Sequence, residues 1–284
     1  MAQIDRISRP DERNGQDERP TAMPFRLLQF TDLHLFGTPA QRLLGQDTQL
    51  TLQSVLDLAQ AKSWPADAIV LTGDLVHDGE PAAYRFLRQR FGELGVPYHC
   101  LPGNHDCLDL VVGHLDEHAA SALRVVRAGT WDLLLLDSIL PGEEGGHISD
   151  SVLAGLAAHR LAGGGRPTLV FLHHHLQPLG SRWIDTMQVD NGAAVLGELA
   201  QHPNVRAVVC GHVHQDADQH SLGLRLLATP STCIQFLPGS DDFALDPRTP
   251  GYRWLDLYPD GRLETGVERT DAYPEPLTFS TSGY

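Results

Sequence analysis

The sequence predicts an α/β fold built on two sheets, and three observations carry that expectation. Up to residue 210, short apolar runs alternate with stretches of helical spacing. Beyond it the texture changes to short strands without long helices. And the apolar runs end, one after another, in Asp, Asn or His. In open α/β sheets the carboxyl edge of the strands is where ligands bind.

Residues 25–30 read as the first strand and lead into Thr31-Asp32-Leu33-His34. In extended backbone, a carboxylate and an imidazole two residues apart face one side. Residues 50–61 have helical spacing through Leu52, Val55, Leu56 and Ala59. Residues 68–71 form a continuous apolar run, as buried parallel strands do, and end in Thr72-Gly73-Asp74. Pro81 suits the first turn of a helix running through Tyr84, Leu87 and Phe91. A third strand, 96–100, leads into Leu101-Pro102-Gly103-Asn104-His105-Asp106. There Gly103 is expected to supply backbone angles closed to other residues, and hence a sharp turn.

Residues 131–136 form a strand ending in Asp137-Ser138, and 153–161 a helix stopped by Gly163-Gly164-Gly165. The strand 168–172 runs into His173-His174-His175. A helix at 193–200 and a strand at 205–210 follow, the latter ending in Gly211-His212-Val213-His214. Short strands are expected at 225–228, 233–236, 252–257 and 261–267. The second half is thus expected to complete a second sheet packed on the first. With no linker and no fixed-period repeat, residues 25–284 are expected to form one domain. Residues 1–24, rich in both charges, are expected to be a disordered tail.

Composition narrows the function classes. At 284 residues the chain can bury a full core. A net charge of −15 argues against binding nucleic acid through its phosphates, which needs clustered Lys and Arg. No apolar run approaches the ~20 residues that span a bilayer. The N-terminal stretch has four arginines among five acidic residues and no apolar core, unlike a secretory signal. Cys100, Cys107, Cys210 and Cys233 form no CxxC pair and read as small buried hydrophobes. A cytoplasmic, soluble protein with neither nucleic-acid nor membrane partner is expected.

The strand ends deliver Asp32 and His34, Asp74, Asn104 and His105, His173 to His175, then His212 and His214. Carboxylates, imidazoles and one amide, with no thiolate, suit Fe, Mn or Zn. There are too many donors for one ion, and one carboxylate can bridge two. Two ions ~3.5–4 Å apart would polarise a phosphoryl group and generate a hydroxide at neutral pH. They would also reverse the local field of an acidic chain that otherwise repels phosphate. His99, His118, His159 and His220 stand alone in the sequence and read as surface or satisfied core histidines.

Asp32-x-His34, Gly73-Asp74, Gly103-Asn104-His105-Asp106, the His173 cluster and Gly211-His212-x-His214 resemble the five motifs of the calcineurin-like metallophosphoesterases. Finer matches resemble the class III cyclic nucleotide phosphodiesterases. These are Asp32-Leu33-His34-Leu35-Phe36, Cys210-Gly211-His212-Val213-His214-Gln215, residues 227–236 (LATPSTCIQF) and the terminal Ser282-Gly283-Tyr284. The resemblance covers residues 25–284. It implies a metallophosphoesterase fold, a four-layer α/β/β/α sandwich of two mixed sheets flanked by helices. It implies hydrolysis of 3′,5′-cyclic AMP to 5′-AMP by a hydroxide bridging two metal ions, Fe or Mn, with Zn or Co as further options.

Carried over residue by residue, the resemblance makes Asp32, His34, Asp74 and His214 ligands of one ion. Asp74, Asn104, His173 and His212 would hold the other, with Asp74 bridging. His105 would protonate or stabilise the leaving oxygen, and Asn104 would also donate to a phosphoryl oxygen. Substrate contacts are expected from His34, Asn104, His105 and His214, and from Trp183 stacking on the base. Asn191 is open between a substrate contact and a helix cap, and Asp106 has no role beyond a turn or a supporting contact behind the ligands. Two departures stand out. A third histidine, His175, follows where the family usually has proline, which leaves His174 open as an alternative ligand to His173. His77 stands where relatives often place an Asp, leaving the partner of His105 undetermined. Monomer and dimer are both open. The same fold acting on a glycerophosphodiester, a 2′,3′-cyclic nucleotide or a nucleotide-lipid pyrophosphate is the nearest alternative. A non-catalytic scaffold is another, although every expected ligand position is filled.

Overall fold

In the computed structural model, which describes residues 23–162 and 165–279, two mixed sheets lie face to face between layers of helix. The chain runs through β1 (Phe25–Phe30), α1 (Thr48–Lys62), β2 (Ala68–Thr72), α2 (Pro81–Glu93), β3 (Tyr98–Leu101) and α3 (Leu108–His114). It continues with β4 (Leu123–Ala128), β5 (Trp131–Leu136), α4 (Asp150–Leu161), β6 (Thr168–Phe171), α5 (Arg182–Asp185) and α6 (Gly192–Ala200). The remainder is β: β7 (Val205–Cys210), β8 (Ala217–Ser221), β9 (Leu224–Ala228), β10 (Gln235–Phe236), β11 (Leu245–Asp246), β12 (Gly251–Leu257) and β13 (Leu263–Arg269).

One sheet has the order β13-β12-β1-β2-β3 and the other β4-β5-β6-β7-β9-β8, with β10 and β11 pairing apart. Strand alternation sorts the apolar residues into three cores. Leu27, Val70 and Leu101 of the first sheet meet Trp131, Leu133, Phe171 and Val209 of the second. The outer face of the first sheet, with Phe30, Ile69 and Leu71, packs on α1, α2 and α3. The outer face of the second, with Leu134, Val170 and Val208, packs on α4 and α6. This is the expected four-layer α/β/β/α order.

Several expectations are corrected. The late strands do not all join the second sheet: β12 pairs antiparallel with β1 and carries β13, so the chain returns to the first sheet. A lone apolar pattern cannot say which sheet a strand joins, because both sheets share one inner core. The helix α3 and the edge strands β4 and β8 were not anticipated. Their patterns are mostly half-buried or exposed, so no clean apolar period marks them. Cys107 is exposed, whereas Cys100, Cys210 and Cys233 are buried as expected. The helix α4 ends at Leu161 with Ala162 as its cap, ahead of the glycine run. Gly163 and Gly164, the tail 1–22 and Ser282-Gly283-Tyr284 lie outside the described residues.

Candidate metal centre and the cavity beside it

Every predicted donor sits on a loop just beyond a strand's carboxyl end. Asp32 and His34 follow β1, Asp74 follows β2, and Asn104 and His105 follow β3. From the facing sheet, His173 follows β6, and His212 and His214 follow β7. The backbone there is not extended. Asp32 (φ 54°), His34 (46°), Asp74 (49°), His212 (66°) and His214 (48°) are all left-handed. Non-glycine residues avoid that region by ~1–2 kcal/mol each, and such strain gathers at functional sites. Strand alternation is therefore not what brings His34 beside Asp32 or His214 near His212; left-handed turns do. Cross-loop bonds hold the turns: Asp32 N–H donates to Gly73 O (3.0 Å) and His34 N–H to Asp74 O (2.9 Å). The Asp32 carboxylate accepts His212 N–H at 3.0 and 3.1 Å, and Asp74 accepts His105 N–H at 3.0 Å.

Gly103 serves by size, not by angle. Its φ is not positive, and a Cβ there would overlap the Asp74 carboxylate and backbone nitrogen.

The side chains converge in two overlapping groups. His34 Nε2 and His214 Nε2 stand 3.1 Å apart, with Asp32 Oδ1 3.5 Å from His214 Nε2 and Asp74 Oδ2 3.7 Å from His34 Nε2. Beside them, His173 Nε2 lies 3.4 Å from Asp74 Oδ2 and 3.1 Å from Asn104 Oδ1. His214 Nδ1 is 2.8 Å from Ile234 O, and His173 Nδ1 is 2.8 Å from Thr72 O. With the proton of each ring held on Nδ1 by a carbonyl, each Nε2 presents a lone pair. His214 Nε2 thus faces a ring nitrogen and a carboxylate oxygen, and His173 Nε2 faces a carboxylate and an amide oxygen. His212 Nε2 is buried with no hydrogen-bond partner among the described residues. Acceptors converging on acceptors are what cations resolve, so the donor set fits metal ions.

The electrostatics agree. Burial pushes the pKa values of His34 and His212 well below the ordinary imidazole value, favouring neutral ligands. Burial also opposes charge on Asp74 and His173, but their mutual attraction wins: Asp74 falls well below the carboxylate range and His173 rises. Without a cation, a proton on His173 serves the same charge balance. His174 is occupied elsewhere, with Nδ1 2.9 Å from Ser138 Oγ and Nε2 3.1 Å from Glu144 O.

A surrounding ring of residues fixes these loops. His77 Nδ1 is 3.2 Å from His34 Nδ1, and its ring stacks on His105 at 4.9 Å and 22°. Asp78 instead accepts the amide of Gly37. Asp106, expected in a turn or as a supporting contact, accepts N–H from Leu75, Val76 and Gly103 and the hydroxyl of Tyr84. It ties the Asp74 loop to the Asn104 turn. In the 227–236 stretch, Ser231 Oγ donates to Asp32 O at 2.6 Å, so that motif braces the Asp32 loop from below.

A cavity of about 740 Å³ opens on the centre, with Asp74, Asn104, His105 and His212 at its floor and Trp183 and Phe243 on its wall. His34 and His214 are buried and do not line it. Phe236 covers His214, ring on ring at 4.0 Å and 8°. Trp183 meets Phe236 and Phe243 edge-on at 5.0 and 5.3 Å. Asn191 is the N-cap residue of α6, but its side chain makes no capping bond and does not line the cavity: its amide bonds both the N–H (3.1 Å) and the C=O (2.7 Å) of Ile148.

The calcineurin-like phosphoesterase family model matches residues 25–216. The chain belongs to this family. Among curated phosphoesterases it is 40% identical to the 3′,5′-cyclic adenosine monophosphate phosphodiesterase CpdA of Pseudomonas aeruginosa, across 91% of this chain and 94% of that one. It is 32% identical to a 3′,5′-cyclic-nucleotide phosphodiesterase of Nostoc sp., across 87% and 93%. Solved structures of like fold include a dimetal phosphatase from Danio rerio, with TM-score 0.61 and 16% identity over 88% of this chain and all of that one. A purple acid phosphatase from yellow lupin superposes with TM-score 0.58 and 14% identity, over 89% of this chain and 52% of that one. Among the described residues no helix is long and apolar enough to cross a membrane.

Proposed function

We propose that this phosphoesterase hydrolyses 3′,5′-cyclic AMP to 5′-AMP at a dinuclear metal centre, as a cytoplasmic enzyme acting on a small molecule. The observation that carries the substrate is the 40% identity with a cyclic AMP phosphodiesterase along nearly the whole of both chains. Asp32, His34, Asp74 and His214 would hold one ion, and Asp74, Asn104, His173 and His212 the other. His173 rather than His174 is the ligand in this reading, because His173 Nε2 faces the donors Asp74 and Asn104, whereas the nitrogens of His174 face Ser138 and the Glu144 carbonyl. The ions, which the donor set allows to be Fe, Mn or Zn, would supply positive charge for the phosphoryl oxygens and lower the pKa of water.

The chain's own residues do the rest. Asn104 and His105 lie on the cavity floor, reachable by a phosphodiester. The Asn104 amide can donate to a phosphoryl oxygen while its carbonyl oxygen faces the metal donors. His105 is outside both ligand sets, and His77 stacks on it to hold its plane. It delivers a proton to the 3′ oxygen as the P–O3′ bond breaks. Trp183 offers an aromatic wall to the base. Turnover of cyclic AMP with Mn or Fe, with the position of the product phosphate determined, tests this. Release of 5′-AMP is expected; 3′-AMP, no turnover, or faster hydrolysis of 2′,3′-cyclic nucleotides or glycerophosphodiesters would overturn the substrate.

A further inference from the structure

The cavity wall that carries Trp183 is bolted to both histidine loops. Asp185, at the end of α5, accepts the amides of Leu179 (2.8 Å) and Gly180 (2.9 Å), closing residues 179–185 into a compact turn. His175 Nε2 lies 3.5 Å from Asp185 Oδ1, a polar contact that falls short of a hydrogen bond, and the His175 ring is buried and stacks over that of His212 at 5.9 Å and 23°. At the other end of the turn, the buried Ser181 hydroxyl accepts from Gln215 Nε2 (3.0 Å) and from the amide of Gly239 (2.9 Å). His175 stands two residues after His173, and Gln215 directly after His214. Each histidine loop thus sends one buried side chain up to the Trp183 turn.

We infer that His175 and Gln215 are positioning residues for substrate: they fix the Trp183 turn at a set height above the metal centre, making it a rigid wall and not a lid. Within the reading above, this assigns a task to the histidine that departs from the family pattern. A proline there could not reach Asp185. The three consecutive histidines then divide their work: His173 faces the centre, His174 holds the Glu144 loop, and His175 holds the Trp183 turn.

The test uses the full chain loaded with Mn and compares His175→Leu, His175→Gln and Gln215→Leu. Losing the His175–Asp185 contact should raise KM for cyclic AMP about tenfold in His175→Leu, with kcat and bound Mn held within about twofold. His175→Gln, whose amide can reach Asp185, should restore KM. The KM for methyl 4-nitrophenyl phosphate, which has no base, should not move. Independently of any activity, Arg182 is 72% exposed, so trypsin cleavage after it reads the anchoring of the turn. Cleavage should quicken in both Leu variants while other tryptic sites and the melting temperature hold. Unchanged cleavage and KM would overturn the inference, as would loss of Mn together with kcat. If the wild type fails to turn over cyclic AMP yet the Leu variants are cut faster, the substrate reading fails and the anchoring stands.

Discussion

Histidines gather at both edges of the second sheet, beyond the carboxyl ends of β6 and β7 and around the amino ends of β5 and β7, and the two clusters behave in opposite ways. At the carboxyl end, His173, His212 and His214 present nitrogens to oxygens and to one another. At the amino end, His159 bridges the buried carboxylate of Asp132 (3.2 Å) and the ring of His202 (3.0 Å), and Arg127 and Arg166 complete the balance on Asp132. Among the described contacts, the first cluster draws on no arginine and the second on two. Histidine content is the same signal in both places; only the sign of what surrounds each ring separates a centre for metal from a structural knot.

That contrast can be broken by substitution. The largest effect should come from Asp74→Ala, the carboxylate shared by both donor groups: metal content and turnover should fall together, the latter by at least ~10³-fold. Elemental analysis beside a kinetic assay checks both. His105→Ala should lower kcat by ~10²–10⁴-fold, the range of a proton donor, with the metals still bound. Retained kcat would remove His105 from the chemistry. Trp183→Ala should weaken substrate binding by ~1–3 kcal/mol, the worth of a stacked base, seen as a higher KM. At the amino end, His159→Ala should leave kcat/KM within about twofold and cost ~1 kcal/mol of stability, since Asp132 keeps its arginines.

The smallest effect is one of pH. Burial, helped by His159, holds the His202 pKa below its ordinary value near 6.5, so the native state prefers the ring neutral. Its stabilising share is therefore complete above that ordinary value and is lost as pH falls from there through the lowered one. Melting of metal-free protein at about pH 7 and about pH 5.5 should show a drop that His202→Leu makes shallower. An unchanged drop would mean that His202 is not strained by burial.

The sequence carried the strand ends well because each apolar run stops sharply: β1, β5 and β7 have the expected bounds. The donor residues were legible for the same reason. Their geometry was not. Nothing in Asp32-Leu33-His34 announces two left-handed residues, since cross-loop bonds from Gly73 and Asp74 impose them. The partners of Asp106 could not be read, because Leu75, Val76 and Tyr84 are 22 to 31 residues away. The return of β12 to β1 was hidden likewise, as pairing across more than 200 residues leaves no local trace.

The five left-handed donors also store torsional strain along the catalytic edge. Each turn is held against its own torsional preference by bonds to a neighbouring loop, so loosening one loop frees the next. As ions are withdrawn, amide hydrogens at His34 and His212 should begin to exchange while those of β1 and β7 stay protected. The edge would then yield as one cooperative patch, ahead of the sheets that carry it.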